Sequence, residues 1–80
     1  MDNLRKYDEI FMDVFSVEKT QLNESFNKEN VAEWDSIHQL NLITCIEDSF
    51  DVMFGTDDAL SLISYNSGIE ILTSKYNINF

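Results

Sequence analysis

Residues 34–54 contain the strongest helix signal in the chain. Asp35 and Ser36 open this stretch, and both are good N-cap residues because a short side-chain oxygen can accept from a backbone N–H of the first turn. Gln39 lies three residues after Ser36, which favours a capping box. The apolar spacing that follows predicts a helix that is buried along much of its girth and ends near residues 50–51. The apolar positions are Ile37, Leu40, Leu42, Ile43, Ile46 and Phe50.

The first third of the chain contains a second helix signal and then a long connection. Apolar residues three and four apart predict an amphipathic helix over residues 2–15, with Asp8 among the charged residues on its outer face. Residues 16–33 break that spacing and are rich in turn formers. We interpret them as an ordered loop that is pinned by Leu22 and Phe26, with one helical turn near Leu22.

The last third contains two shorter helical patterns. Residues 55–58 predict a turn that caps a short helix, and residues 64–67 offer a cap for the final one. Gly68 falls in the first turn of that final helix, where it disfavours helix formation, and it suggests a close contact between helices. Residues 78–80 are expected to form a frayed or loosely docked tail.

These patterns together predict an all-α fold, with one domain over residues 1–80. It is a bundle of three longer helices and one short helix, with a long first loop. The expected core residues are Leu4, Ile10, Phe11, Val14, Phe26, Ile43, Ile46, Phe50, Leu62, Ile69 and Leu72.

Composition narrows the classes of function. The net charge is −10, and no Lys or Arg lies between Lys28 and Lys75. Such a field repels nucleic acid and anionic membranes and attracts basic partners, although it also serves solubility alone. No apolar run approaches the roughly 20 residues that cross a bilayer, and the N-terminus lacks a secretory pattern. With Cys45 as the only cysteine, we expect a monomer in a reducing cytoplasm.

Autonomous catalysis is disfavoured. The only histidine, His38, follows Ser36 by two positions on one helix, and side chains at that spacing point to different sides. The chain also lacks a glycine-rich phosphate loop, a CxxC pair and a calcium-loop spacing. We therefore expect a protein that is not an enzyme and has no metal site, with His38 solvated on the surface.

The string Asp35-Ser36-Ile37, followed by the helix and by Glu47-Asp48-Ser49-Phe50, resembles the acyl carrier protein family. That family has an Asp-Ser-Leu, Met or Ile motif at the start of its second helix. Its serine carries a 4′-phosphopantetheine arm, derived from coenzyme A, through a phosphodiester. The resemblance covers nearly the whole chain, including a first helix, a long loop, a short third helix and a last helix.

The resemblance implies a role for each matching residue. Ser36 would be the attachment site of 4′-phosphopantetheine, and Asp35 would help the modifying transferase hold its metal ion and orient the donor. Ile37 would pack beside the arm, while Glu47 and Asp48 would meet Lys and Arg on partner enzymes. Partners would be a phosphopantetheinyl transferase and acyl-transfer, condensing or ligase enzymes with basic surface patches.

Three functions stay open at this point. The first is an acyl carrier that serves a fatty-acid, polyketide or specialised lipid pathway; His38 and Asn41, where many members are acidic, leave the pathway open. The second is a peptidyl or aminoacyl carrier with the same thioester chemistry. The third is an acidic helical interaction module without a prosthetic group, in which Ser36 is only a helix cap, so that Ser36→Ala costs about 1 kcal/mol. Trp34 would pack over the loop or contact partner enzymes.

Overall fold

The computed structural model describes residues 2–80, and within them the chain forms four α-helices and no β-strand. The helices are α1 (Asn3–Phe15), α2 (Ser36–Phe50), α3 (Thr56–Ser61) and α4 (Tyr65–Tyr76). Three of them are long and α3 is short, so the predicted all-α bundle is confirmed. No helix in the described part of the chain is long and apolar enough to cross a membrane.

Local signals fix the ends of the long helices. The sequence offers Asp2 or Asn3 as the cap of α1, and the structure shows Asp2 in that role, accepting from the backbone N–H of Leu4 at 3.1 Å. α1 and α2 each end at a residue with positive φ, Ser16 (55°) and Asp51 (55°), whose N–H closes the last turn. The expected end of α2 near residues 50–51 is therefore confirmed.

The long loop after α1 is ordered in the way that its apolar residues predict. A short 3₁₀ turn at Lys19–Gln21 precedes Leu22, and Phe26 is buried in the core. Phe26 also joins the loop to the start of α4, because its carbonyl accepts from the N–H of Tyr65 at 2.9 Å. The loop thus packs against the bundle through Leu22 and Phe26.

The core is more aromatic than the sequence predicted. Seven of the expected residues are buried, while Leu4, Val14, Ile43 and Ile69 are only half-buried. Large side chains that were not expected in the core take their place, because the α1 face turns Tyr7 and Phe15 inward with Phe11. The unexpected core residues are Tyr7, Phe15, Trp34, Leu42, Tyr65 and Ile71.

The prediction that α2 is buried along much of its girth is wrong for its first turns. Ile37 and Leu40 are 71% and 64% exposed, because Leu42, Ile46 and Phe50 face the core at four-residue intervals. At 100° per residue, Ile37 lies about 140° around the helix from Leu42. The side of α2 that carries Ile37 and Leu40 therefore faces solvent.

Asp8 was expected on the outer face of α1, and that expectation is also wrong. Its carboxylate is buried and accepts from the hydroxyl of Tyr65 at 2.5 Å. Tyr7, one residue earlier, donates its own hydroxyl to the carbonyl of Tyr65 at 2.6 Å. The polar pair thus joins α1 to α4 inside the apolar core, with each buried group hydrogen-bonded.

Gly68 marks a close helix contact, as predicted. A Cβ atom at this position would overlap the hydroxyl of Tyr7 and lie 2.9 Å from Cδ1 of Leu62. Of the two expectations for the C-terminal tail, frayed or docked, the structure shows a docked tail. Its Asn79 carbonyl accepts from the Asn3 side chain at 2.9 Å, and Phe80 packs against Tyr7.

Candidate functional site

Ser36 is the first residue of α2 and is exposed to solvent. The residue before it is the true N-cap: Asp35 has extended backbone angles and accepts from the N–H of His38 at 2.9 Å. The predicted capping box between Ser36 and Gln39 does not form. Since Asp35 does the capping, the hydroxyl of Ser36 is not needed to hold the helix start.

The Asp35 carboxylate has a second partner on the same turn. Its Oδ1 lies 2.8 Å from Nδ1 of His38. The hydrogen bond from the His38 backbone, followed by that from its imidazole, lowers the pKa of Asp35. Asp35 is thus kept ionised, and its negative charge is partly stabilised by hydrogen bonds from the first turn of its own helix.

His38 is less solvated than the sequence suggested, since its side chain is 32% exposed. Its ring stacks on the ring of Phe15, with centroids 5.6 Å apart and planes 13° from parallel. One edge of the His38 ring contacts Asp35 and its face contacts Phe15 of α1, so the imidazole is held next to the N-cap of α2.

Trp34 belongs to the core and not to the partner surface. It is only 4% exposed and packs among Phe11, Phe15 and Phe26. Its indole N–H donates to Oε1 of Gln39, so the one polar atom of the side chain is satisfied. The loop that leads to Ser36 is thus anchored immediately before the motif.

Gln39 is the site residue whose role sequence reasoning missed. Its Nε2 donates to two backbone carbonyls at the end of α3, those of Ala59 at 3.0 Å and Leu62 at 2.9 Å. These partners lie 20 and 23 positions along the chain, so no local pattern could have revealed them.

The structure separates the predicted partner residues into two groups. Ile37 adjoins Ser36 on the first turn, whereas Glu47 and Asp48 lie about 16 Å further along the helix axis. Asp48 is exposed, but Glu47 is half-buried and its carboxylate accepts from the N–H of Phe54 at 2.9 Å. Glu47 thus holds the linker after α2, which leaves Asp48 as the more available charge.

Four large aliphatic side chains at the start of α2 and around the end of α3 are exposed, which the sequence did not predict. Ile37 and Leu40 belong to α2, Leu60 belongs to α3 and Ile63 follows it; Leu60 and Ile63 are 73% and 51% exposed. The hydrogen bonds of Gln39 connect the start of α2 to the end of α3. We call these four residues together the apolar surface, although single exposed aliphatics are common on proteins.

Ser36 lies two positions before a histidine whose imidazole is already engaged. That imidazole hydrogen-bonds the carboxylate of Asp35 and stacks on Phe15. Among residues 2–80, no group of three His, Cys, Asp or Glu side chains is arranged to hold a metal ion. The site offers a solvent-facing hydroxyl at the positive end of a 15-residue helix.

No protein-family model matches the chain, and no curated protein matches it. Its function must therefore be argued from the residues and geometry of the site.

Proposed function

We propose that this protein is an acyl carrier protein, which holds acyl intermediates as thioesters on a 4′-phosphopantetheine arm attached to Ser36. The observation that carries the proposal is the exposure of Ser36 at the first turn of α2, directly after an aspartate that already caps the helix. A serine that does not cap the helix and is exposed on its first turn is available for modification by a separate enzyme. The capping role that the third alternative gave to Ser36 is filled by Asp35, and an acidic interaction module without a prosthetic group stays an alternative.

The residues around Ser36 are suited to a phosphodiester. The free N–H groups of the first turn and the helix dipole favour an anion there. The repulsion expected from Asp35 is reduced, because His38 supplies both its N–H and its imidazole to that carboxylate. When bound, the arm supplies a terminal thiol that holds the cargo, and the exposed Ile37 side chain offers an apolar support beside it.

The partner enzymes are proposed to approach the α2 face. From Ser36 to Ile46 the helix contains no Asp, Glu, Lys or Arg, so its front half offers the apolar surface and not a row of carboxylates. Acidic residues resume with Glu47 and Asp48, of which Asp48 is exposed. This distribution favours a specialised pathway with its own enzymes over a general fatty-acid synthase, and a peptidyl or aminoacyl cargo stays an alternative.

The proposal is tested by modification in vitro. The apo protein is incubated with coenzyme A, Mg²⁺ and a broad-specificity phosphopantetheinyl transferase, and its intact mass is measured. We expect a gain of one pantetheinyl unit on the wild type and on Ser49→Ala, a control that removes another exposed serine of α2. Ser36→Ala should gain nothing.

Stability measurements show whether Ser36→Ala removes the hydroxyl without unfolding the protein. Because Asp35 is the cap, we expect Ser36→Ala to change the free energy of unfolding by no more than about 0.5 kcal/mol. An unmodified wild type, or an equal gain on folded Ser36→Ala, would refute the proposal. Loading the modified protein with acyl and with amino-acid adenylating enzymes then separates the two classes of cargo.

A further inference from the structure

The short helix α3 depends on other elements for its ends. It has six residues, and its N-cap, Gly55, supplies no side-chain hydrogen bond. Its first turn is held by Asp58, whose carboxylate accepts from Lys75 and from Tyr76, both at 2.6 Å. A helix also leaves its last carbonyls without partners inside the helix, and these need donors from elsewhere.

Gln39 supplies those donors. Its amide nitrogen donates to the carbonyls of Ala59 and Leu62, and its amide oxygen accepts from the indole of Trp34. The orientation of the amide is settled by its partners, because a flipped amide would set its oxygen against two carbonyls and its nitrogen against an N–H donor. One side chain thus closes the end of α3 and satisfies a buried indole.

The same residue belongs to the turn that carries Ser36. The backbone N–H of Gln39 donates to the carbonyl of Asp35 at 2.9 Å, which closes the first turn of α2. Any displacement of the end of α3 must therefore break side-chain hydrogen bonds of a residue three positions after Ser36. The first turn of α2 and the end of α3 are held together by this connection.

We propose that Gln39 is a positioning residue, which holds the end of α3 against the first turn of α2 so that a modifying enzyme meets Ser36 and the end of α3 as one preformed site. This inference rests on the proposed carrier function. In the absence of the Gln39 amide, α3 moves more freely, and the enzyme must order it on binding. Ordering a segment on binding weakens the complex and leaves the chemical step largely unchanged.

Gln39→Glu tests the inference with a minimal change of shape. The carboxylate keeps an acceptor for the indole but loses both donors and repels the two carbonyls. Asn41→Asp is the matched control for hydrogen exchange, since it makes the same amide-to-acid change at an exposed position of α2. Because an added charge on α2 changes the face that the transferase meets, KM is compared between the wild type and Gln39→Met, which is uncharged and of similar length and also serves where Gln39→Glu does not fold.

Two readouts are needed, both under conditions in which every variant is folded. The first is amide hydrogen exchange of residues 56–62, which we expect to become about tenfold faster in the Gln39 variants and to stay unchanged in Asn41→Asp. The second is the kinetics of Ser36 modification by the broad-specificity transferase. We expect KM to rise about threefold or more with kcat nearly constant, because ordering of α3 opposes binding.

Each outcome decides the inference. Faster exchange in α3 together with the selective rise in KM supports it. Unchanged exchange overturns it, and so does faster exchange with an unchanged KM, because Gln39 would then be structural only. A wild type that the transferase does not modify overturns the carrier function itself, which is a different result from a modified wild type whose Gln39 variants behave like the wild type.

Discussion

Replacing Gly68 with alanine should destabilise the protein severely, although the same change usually stabilises a helix. An alanine in a helix gains up to about 1 kcal/mol over glycine. At Gly68, however, the new Cβ atom would overlap the hydroxyl of Tyr7, with Cζ of Tyr7 at 3.0 Å and Cδ1 of Leu62 at 2.9 Å. Tyr7 and Leu62 are fully buried, so neither side chain has solvent to move into.

The size of the effect follows from what must give way. Forcing a carbon into a packed core costs about 1–3 kcal/mol. Displacing the Tyr7 hydroxyl breaks its 2.6 Å hydrogen bond to the Tyr65 carbonyl, and buried polar groups that lose their partners cost about 1–3 kcal/mol. Burial raises the pKa of Tyr7 well above its usual value, so this hydroxyl stays a protonated donor. After the helix gain is subtracted, the net loss is about 3 kcal/mol, within a range of about 1–5 kcal/mol.

Thermal and urea unfolding measured by circular dichroism provide the assay. A loss of about 3 kcal/mol should lower Tm by about 12–24 °C in a domain of this size. Gly55→Ala is the matched control, because an added Cβ there meets nothing within 4 Å and its φ of −76° suits any residue. In the Tyr7→Phe background, which lacks the overlapping oxygen, Gly68→Ala should cost less than in the wild type. A Gly68→Ala protein as stable as the wild type would refute this account of the contact.

Two other perturbations test the polar contacts at the ends of α2 and α3. Asp35→Ala should lower the free energy of unfolding by about 1 kcal/mol, and Asp35→Asn, which keeps an accepting oxygen, by less; equal losses in urea unfolding would contradict the capping role. Hydrogen bonds from Lys75 and then Tyr76 lower the pKa of Asp58, so its ionised form contributes stability above the unfolded pKa of about 3.9 and loses it as the pH falls through the lower folded value. Urea midpoints between about pH 7 and about pH 3 should therefore fall less steeply for Asp58→Asn than for the wild type, and parallel curves would disprove the linkage.

The helices and the position of Ser36 could be predicted because their signals are local. Asp2, Asp35 and Ser64 cap helices in the structure, and apolar residues three and four apart precede or follow them in the chain. Capping depends on atoms within one turn, and periodicity depends on a few turns, so both are visible in a short window of sequence.

The buried face of α2 could not be predicted with the same ease. Aliphatic residues occur around most of this helix, so spacing alone did not separate Leu42 and Ile46, which face the core, from Ile37 and Leu40, which face solvent. The choice depends on where α1 packs, and that is a tertiary contact. An excess of apolar residues over what one face needs is itself informative, since the surplus left Ile37 and Leu40 exposed on the first turns of α2.

Long-range polar contacts were the other feature that the sequence could not predict. The sequence around Asp8 predicts a surface residue, because its partner Tyr65 lies 57 positions away. The sequence around Gln39 predicts half of a capping box, because the carbonyls that it binds lie at the end of α3. In both cases a polar side chain at the edge of a helix found a buried partner, and the sequence around it gives no sign of that partner.

The burial of Trp34 gives the protein an intrinsic fluorescent reporter two positions from Ser36. It is the only tryptophan in the chain, so emission excited at long wavelength comes from one known place. Its indole lies in an aromatic environment and donates to Gln39, so the emission should be blue-shifted in the folded protein and move to the red when water reaches the ring. Events at the start of α2 can therefore be followed in real time on the unlabelled protein.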